Sequence, residues 1–164
     1  MRRTKDPEID EQVREFGERM RAARTAAGLS QVALSEATGL DRAAISFLER
    51  AERSPDLSTL VRVAESLGLT PSQLLDGIGS GSGLFEPPSY RGVASSPEAR
   101  LGVNLRAARH AAELSQETLG FEAEVDRAAI SVYERGGRGP NLRTILKLSR
   151  ALGLRSAALL QGVR

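Results

Sequence analysis

The sequence predicts an all-α protein that consists of two copies of one small domain joined by a linker. Residues 16–75 align with residues 101–160 at a constant shift of 85 without a gap, and 28 of the 60 aligned pairs are identical. In both copies apolar residues recur at spacings of three and four, as in amphipathic helices, and no alternating strand pattern occurs. The segment from Asp76 to Arg100 is dominated by Gly, Ser and Pro, a composition typical of a linker.

The first helix of each copy has the clearest pattern. In the first copy Asp6 and Pro7 are typical of an N-cap and the first helical position, and Gly28 follows the last apolar residue. Ser96 and Pro97 open the corresponding helix of the second copy. The apolar stripe of the first copy consists of Ile9, Val13, Phe16, Met20, Ala23 and Ala27, and that of the second consists of Leu101, Leu105, Ala108 and Ala112.

Four shorter helices follow in each copy. Ser30 and Asp41 are N-cap residues for a second and a third helix, and the second helix closes at Gly39. After a loop over residues 51–56, an apolar stripe predicts a fourth helix, and Thr70–Pro71 opens a short fifth. The second copy repeats this order, so each copy is predicted to contain five helices.

These patterns divide the chain into four segments. An N-terminal arm with the start of the first helix occupies residues 1–12, and the first domain occupies residues 13–76. The linker occupies residues 77–96, and the second domain occupies residues 97–164. As a flexible coil, the whole Gly/Ser/Pro-rich segment would span roughly 25–30 Å.

The composition excludes several functional classes. With no Cys and one His, the chain cannot form disulfides or thiolate metal sites and has too few ligands for a His-based zinc site. We therefore expect no catalytic residue, no metal and no cofactor, and predict that the chain is not an enzyme. No apolar run approaches the ~18 residues of a membrane span, and the start of the chain lacks a secretory signal. These features predict a cytoplasmic protein with no membrane partner.

The positive charge is concentrated in the second copy. Residues 1–75 carry 11 basic and 12 acidic side chains, whereas residues 101–164 carry 10 and 6, a net charge of +4. This difference predicts that the second copy binds a polyanion more strongly than the first.

Four sequence blocks occur in the same order in both copies. They are Leu-Ser-Gln-x-x-Leu, Ile-Ser-x-x-Glu-Arg, x-Pro-x-Leu and Leu-Gly-Leu. The short second helix, the turn and the capped third helix have the outline of a helix-turn-helix motif. With these blocks each copy resembles the Cro/C1-type (XRE) helix-turn-helix family, which has a lambda-repressor-like five-helix fold.

The resemblance implies that the third helix of each copy enters the major groove of double-stranded DNA. Arginine can donate two hydrogen bonds to guanine, and small or apolar side chains can contact a thymine methyl group. The base-reading residues that the resemblance implies are Arg42, Ala43, Ser46, Phe47, Arg127, Ala128, Ser131 and Val132.

Further residues are assigned by the same resemblance to phosphate binding and to structure. Gln31 and Gln116 open the second helix of each copy, where a helix N-terminus favours an anion. The other implied phosphate contacts are Arg50, Arg53, Arg135, Arg138 and Asn141, the last of which stands where the first copy has Asp56. The implied structural ion pairs, which join the first and third helices, are Arg24 with Glu49 and Arg109 with Glu134.

These assignments lead to the hypothesis of a sequence-specific DNA-binding transcriptional regulator, specifically a repressor that reads two related half-sites. The alternative is a protein-interaction or antitoxin-like module in which one copy binds a partner protein instead of DNA. Two architectures remain open: one chain spans two half-sites ~34–36 Å apart, or a homodimer engages up to four. A regulatory partner protein and RNA polymerase are further candidate partners.

Overall fold

The computed structural model describes residues 6–93 and 95–164, and ten α-helices lie within these ranges. The helices of the first copy are α1 (Pro7–Ala26), α2 (Gln31–Thr38), α3 (Arg42–Glu49), α4 (Leu57–Ser66) and α5 (Pro71–Leu74). Those of the second copy are α6 (Pro97–Ala111), α7 (Gln116–Ala123), α8 (Arg127–Glu134), α9 (Leu142–Ala151) and α10 (Ser156–Leu159). The predicted all-α class with five helices in each copy is confirmed.

Side-chain caps mark the start of the second helix in each copy. The Ser30 hydroxyl accepts a hydrogen bond from the Ala33 amide at 3.0 Å, and the Ser115 hydroxyl accepts one from the Thr118 amide at 2.9 Å. These bonds satisfy amides that the first turns of α2 and α7 leave without helical partners. Asp41 differs from expectation: it is the N-cap residue of α3, but its side chain makes no capping hydrogen bond.

Each copy packs its helices around an aliphatic core. The third helix contributes Ile45 in the first copy and Ile130 in the second, and both are fully buried. Burying a side chain of this size contributes about 1.5–3 kcal/mol, so these residues hold α3 and α8 firmly against the other helices. Among the helices that the structure describes, none is both long enough and apolar enough to cross a bilayer.

The turn after the second helix has the same backbone shape in both copies but a different residue. Gly39 has φ 69° and Glu124 has φ 53°, so both lie in the left-handed region. A residue with a Cβ is strained there by roughly 1–2 kcal/mol. The Glu124 carboxylate binds Lys147 Nζ at 2.8 Å, but an exposed ion pair contributes only about 0–1 kcal/mol.

The Glu124→Gly variant should therefore have a free energy of unfolding about 1 kcal/mol higher than that of the Glu124→Ala variant. Both substitutions remove the ion pair with Lys147, and only glycine relieves the backbone strain. Chemical denaturation monitored by circular dichroism measures the difference. Gly39→Ala is the matched control and should lower stability by a similar amount. If Glu124→Gly is no more stable than Glu124→Ala, the strain is absent.

The two copies pack directly against each other. Helix α5 lies on α10, and the Ser72 hydroxyl donates a hydrogen bond to the Ala157 carbonyl at 2.7 Å. Asp56 and Asn141 form an isolated antiparallel bridge, α1 contacts α9, and α4 contacts α6. As a result the buried apolar side chains of both copies form one continuous core.

The N-terminal end of α1 adds a charged contact between the copies. Helix α1 has 20 residues and α6 has 15, because α1 begins five residues earlier in the aligned numbering. Arg150 on α9 binds Asp6 at 2.7 Å and Glu8 at 3.0 Å, and Arg143 binds Asp10 at 2.5 Å. The hydrogen bond from Arg150 outweighs partial burial and lowers the pKa of Asp6 below its ordinary value.

Replacing Arg150 with alanine should weaken the contact between the start of α1 and α9. The free energy needed to open this end of α1 should fall by about 1 kcal/mol, the contribution of a partly exposed ion pair. Native-state hydrogen exchange should then be about fivefold faster in the first two turns of α1. Arg155→Ala, which removes an exposed arginine of the same copy, should leave these amides unchanged. The ionised form of Asp6 is favoured in the folded state, so its stabilisation is present above pH ~4 and is lost as the pH falls further. Equal exchange in both variants would contradict this role of Arg150.

The linker lies along the second copy rather than forming the flexible coil that its composition predicts. The Gly83 amide donates a hydrogen bond to the Gly153 carbonyl at 2.9 Å. The Tyr90 hydroxyl lies 2.8 Å from the side-chain oxygen of Asn104 and 2.7 Å from the carbonyl of Gln161. These partners are brought together only by the folded second copy, so composition alone could not reveal them.

Candidate nucleic-acid interface

Helices α3 and α8 bury one face and present the other outward. Ile45 and Leu48 on α3, like Ile130 and Tyr133 on α8, are buried in the core. Residues three or four apart share a helix face, so the predicted base-reading positions fall on the opposite side. Arg42, Ala43, Arg127 and Ala128 are exposed, and Ser46, Phe47, Ser131 and Val132 are half-buried.

The outward face of α3 carries an aromatic ring between two arginines. The guanidinium of Arg53 lies 4.9 Å from the centre of the Phe47 ring, and that of Arg50 lies 5.5 Å from it. Cation–π contacts of this kind hold the ring and both cations on one surface. Arg50 also pairs with Glu52 at 3.2 Å. A shallow depression of about 280 Å³ on this face is lined by Arg42, Ala43, Ser46, Phe47 and Arg50.

The outward face of α8 is built differently. Val132 replaces the aromatic ring, and Arg135 donates a hydrogen bond to the Ser131 hydroxyl at 2.5 Å. Gly137 stands in the position of Glu52, so this face lacks the acidic neighbour of the first copy. The two faces therefore share their first exposed residues but differ in their apolar group and in local charge.

A buried ion pair fixes the orientation of α3. Arg24 on α1 binds Glu49 at the end of α3 through two hydrogen bonds of 2.5 and 3.2 Å. Gln31, the first residue of α2, donates to the same carboxylate at 3.0 Å. Burial tends to raise the pKa of Glu49, but the hydrogen bonds from Arg24 and Gln31 outweigh it and hold the pKa below its ordinary value. Three helices thus meet at one ionised side chain.

The second copy repeats this arrangement. Arg109 binds Glu134 at 2.6 and 3.0 Å, and Gln116 donates to the same carboxylate at 2.8 Å. The side chains of Arg109 and Glu134 are only 10% and 4% exposed. Because burial is again outweighed by hydrogen bonds, the pKa of Glu134 is lowered.

Gln31 and Gln116 therefore have a role that the sequence did not reveal. Each was assigned to phosphate binding, and each also ties the start of the second helix to the end of the third. A glutamine amide carries two N–H groups, so one can bind the glutamate while the other is directed to an anion. The observed bonds are therefore compatible with the predicted phosphate contacts of Gln31 and Gln116.

The remaining predicted phosphate residues fall into two groups. Arg53 and Arg138 are exposed in the loops that follow α3 and α8. Asn141 is also the N-cap of α9, where its side-chain oxygen accepts a hydrogen bond from the Thr144 amide at 3.0 Å, and its predicted phosphate contact stays a prediction. Asp56 caps α4 in the same way, so the Asp-to-Asn difference between the copies preserves a capping function.

Two glycines position α3 and α8, and the sequence did not identify them as site residues. Gly17 lies in the middle of α1, and a Cβ there would come within 2.6 Å of the Glu49 carbonyl oxygen and 2.8 Å of that of Leu48. Gly102 occupies the corresponding position of α6, against Tyr133 and Glu134. Each glycine lets the first helix cross the end of the third at close range. The available signal was an identical glycine inside a predicted helix in both copies.

The charge difference between the copies is partly accounted for by their mutual contact. Arg143 and Arg150 contribute to the excess of the second copy, and both bind carboxylates of the first copy. These charges face the other domain, which reduces the electrostatic advantage that the sequence predicted for the second copy.

Comparison with known proteins identifies the family. The family model described as helix-turn-helix (HTH_3) matches residues 20–74 and again residues 105–159. The SPbeta prophage-derived uncharacterized HTH-type transcriptional regulator YonR of Bacillus subtilis (strain 168) is 36% identical over 62 residues, which is 38% of this chain and 57% of that protein. Control protein C.BamHI of Bacillus amyloliquefaciens is 47% identical over 47 residues, 29% of this chain and 58% of that protein.

A solved structure gives a further similarity. The restriction-modification controller protein C.AhdI from Aeromonas hydrophila shares 39% sequence identity, and the match covers 39% of this chain and 96% of that one, with a TM-score of 0.37. The chain spans just over half the length of the two curated relatives that it matches. With two matches that together cover more than half of its residues, the chain belongs to the Cro/C1-type helix-turn-helix family and carries two copies of the family's domain.

Proposed function

We propose that this protein is a sequence-specific DNA-binding transcriptional regulator whose two helix-turn-helix copies read related half-sites. The observation that carries the proposal is the pair of outward faces on α3 and α8. Each face begins with an exposed arginine and alanine, and the residues from Asp41 to Ser46 are identical to those from Asp126 to Ser131. Identical side chains at the same positions of corresponding helices favour similar base sequences in the two half-sites.

In this proposal the remaining site residues position the protein on the sugar–phosphate backbone. Gln31 and Gln116 bind phosphates at the start of α2 and α7. Four exposed arginines bind phosphates at or after the ends of the recognition helices α3 and α8, namely Arg50, Arg53, Arg135 and Arg138. Such contacts carry no base information but set the register of α3 and α8 in the groove. Asn141, the N-cap of α9, binds a further phosphate.

The descriptions of the relatives favour DNA over a partner protein as the target. They name a transcriptional regulator, a control protein and a restriction-modification controller protein.

We infer that the protein acts in the cytoplasm at the nucleoid, needs no cofactor for DNA binding and catalyses no reaction. We also propose that the chain consists of a first domain at residues 13–76, a linker at residues 77–96 and a second domain at residues 97–164.

Selection of bound sequences from random DNA with the full chain tests this function. We expect one enriched motif composed of two related half-sites. If no sequence is enriched over the starting pool at physiological salt, sequence-specific binding is wrong.

The direction of regulation needs a second experiment. We propose repression, in which the bound protein excludes RNA polymerase from an overlapping promoter. A reporter promoter that overlaps the selected motif should lose activity when the protein is supplied, and a rise in activity would instead identify an activator. A promoter with a scrambled motif is the control.

A further inference from the structure

The contacts between the two domains join corresponding residues of the two copies. At the shift of 85 that aligns the copies, Asp56 corresponds to Asn141 and Ser72 to Ala157. The first pair forms the antiparallel bridge, and the second forms the 2.7 Å hydrogen bond. The helices follow the same rule, because α5 packs on its counterpart α10 and the contact of α1 with α9 is matched by that of α6 with α4.

A set of contacts that is preserved when the two copies are exchanged defines an isologous, two-fold interface. The two domains are therefore related by an approximate two-fold axis that passes between Asp56 and Asn141. Helices α3 and α8 are counterparts, so the same axis relates them. Two recognition helices related in this way match the local two-fold symmetry of duplex DNA and address half-sites that are inverted repeats.

The surface that forms this interface is fully occupied within one chain. Leu74 and Leu75 from the first copy, and Leu159 and Leu160 from the second, have no solvent exposure. These residues belong to or directly follow α5 and α10, the helices that face each other across the axis. A second chain could use the same surface only by displacing a domain that is already bound.

The charged contacts favour pairing of a first copy with a second copy. Asp6, Glu8 and Asp10 of the first copy meet Arg143 and Arg150 of the second. At the positions of Arg143 and Arg150, the first copy has Ser58 and Glu65. Two first copies paired in the same geometry would therefore place Glu65 near carboxylates, which is repulsive.

The recognition surfaces on the two sides of the axis are not equivalent. Phe47, held between Arg50 and Arg53, lies on the outward face of α3, whereas the smaller Val132 lies on that of α8. The outward residues that α3 and α8 share require similar half-sites. The difference between Phe47 and Val132 requires the two half-sites to be unequal where these side chains approach the bases.

Because the two domains are related by a two-fold axis but have unequal outward faces, we propose that one chain is a preassembled pair of domains. The chain binds a single operator of two inverted half-sites as a monomer, and it binds in one orientation. This inference rests on the proposed DNA-binding function and names the form of its target. Phe47 and Val132 are the specificity-determining residues that select the orientation.

The first test is the mass of the complex on the selected motif. Sedimentation should give one 17.6 kDa chain in the free protein and one chain per operator in the complex. Two or more chains per operator would overturn the inference. The complete absence of a selected motif would overturn the proposed function as well, so the two failures can be distinguished.

The second test measures orientation and uses the absence of cysteine from the chain. Val32→Cys and Glu117→Cys place single thiols at exposed, corresponding positions of α2 and α7. A DNA-cleaving iron chelate attached at either thiol should cut near one half-site only, and the two variants should cut opposite half-sites. Equal cutting of both half-sites by each variant would overturn a single orientation. Glu36→Cys and Phe121→Cys, also exposed and corresponding, provide a second pair if labelling disturbs the first.

Phe47→Val gives α3 and α8 the same apolar outward residue and leaves only the charge difference between Glu52 and Gly137. It should therefore greatly reduce the preference for one orientation on the operator. The selected motif should become a more symmetric palindrome, and chelate cleavage from either thiol should then appear at both half-sites. Val132→Phe is the reciprocal control and should also give a symmetric motif, with the half-site of the first copy duplicated. If Phe47→Val retains the original asymmetric motif and one-sided cleavage, these two residues do not set the orientation.

Discussion

Replacing Glu49 with alanine should lower the free energy of unfolding by about 3–5 kcal/mol, the cost of leaving a buried charge without its partner. The Arg24 side chain is only 12% exposed, and it would lose both hydrogen bonds to the carboxylate. The Gln31 amide would lose its partner as well. Urea denaturation monitored by circular dichroism measures the loss. Glu134→Ala should have an effect of the same size, because Glu134 has the same contacts in the second copy.

Two controls separate the buried charge from other effects. Glu52→Ala removes a half-exposed glutamate three residues later and should change stability by no more than about 0.5 kcal/mol. The double variant Arg24→Met, Glu49→Leu removes both charges and should recover most of the stability, because neither charge is left unpaired. A loss from Glu49→Ala no larger than that from Glu52→Ala would show that the ion pair does not hold the helices together.

The stability that Glu49 provides should also depend on pH. Its pKa is lowered in the folded protein, so the contribution is fully present above the unfolded pKa of ~4.3. As the pH falls through the lower folded value, the carboxylate is protonated and the contribution is lost. Glu49→Ala should therefore have a smaller effect on stability at strongly acidic pH than at pH 7.

Replacing Arg42 or Arg127 with alanine should weaken binding to the selected motif by about 5- to 150-fold, which corresponds to ~1–3 kcal/mol for an arginine that contacts guanine. The double variant should lose approximately the product of the two factors if the two half-sites act independently. Electrophoretic mobility shift titration at constant salt measures both effects. Neither substitution should change stability by more than about 0.5 kcal/mol, since both side chains are exposed.

The control for these variants distinguishes base reading from general charge. Arg106→Ala removes an exposed arginine of α6 and should leave affinity for the motif almost unchanged. Affinity for unrelated DNA should fall much less than affinity for the motif in Arg42→Ala and Arg127→Ala. An equal loss on both kinds of DNA would assign the two arginines to phosphates, and no loss would remove them from the interface.

Much of the fold was readable because its signals are local. Ser30, Thr70 and Ser96 cap helices in the structure at the places where the sequence predicted helix starts. The contact between the domains was not readable, because it depends on residues far apart in the chain. Arg150 and Asp6 are separated by 144 positions, and nothing near either residue identifies the other as its partner.

The candidate site was predictable to a similar extent. The outward positions of α3 and α8 follow from helical periodicity once the buried Ile45 and Ile130 are identified. The bond from Gln31 to Glu49 joins two helices whose crossing geometry the sequence does not specify. Net charge counts Arg143 with Arg42 although only Arg42 is exposed, so the stronger binding expected of the second copy stays a prediction.

The contact between α5 and α10 has a consequence for how the protein responds to its own abundance. An interface between separate subunits has a dissociation constant and separates on dilution, whereas these two helices belong to one polypeptide and remain at the same effective concentration. In the proposed monomeric complex, occupancy of an operator rises with the first power of protein concentration and has no assembly threshold. A cell that synthesises only a few copies of the chain would already have a working regulator.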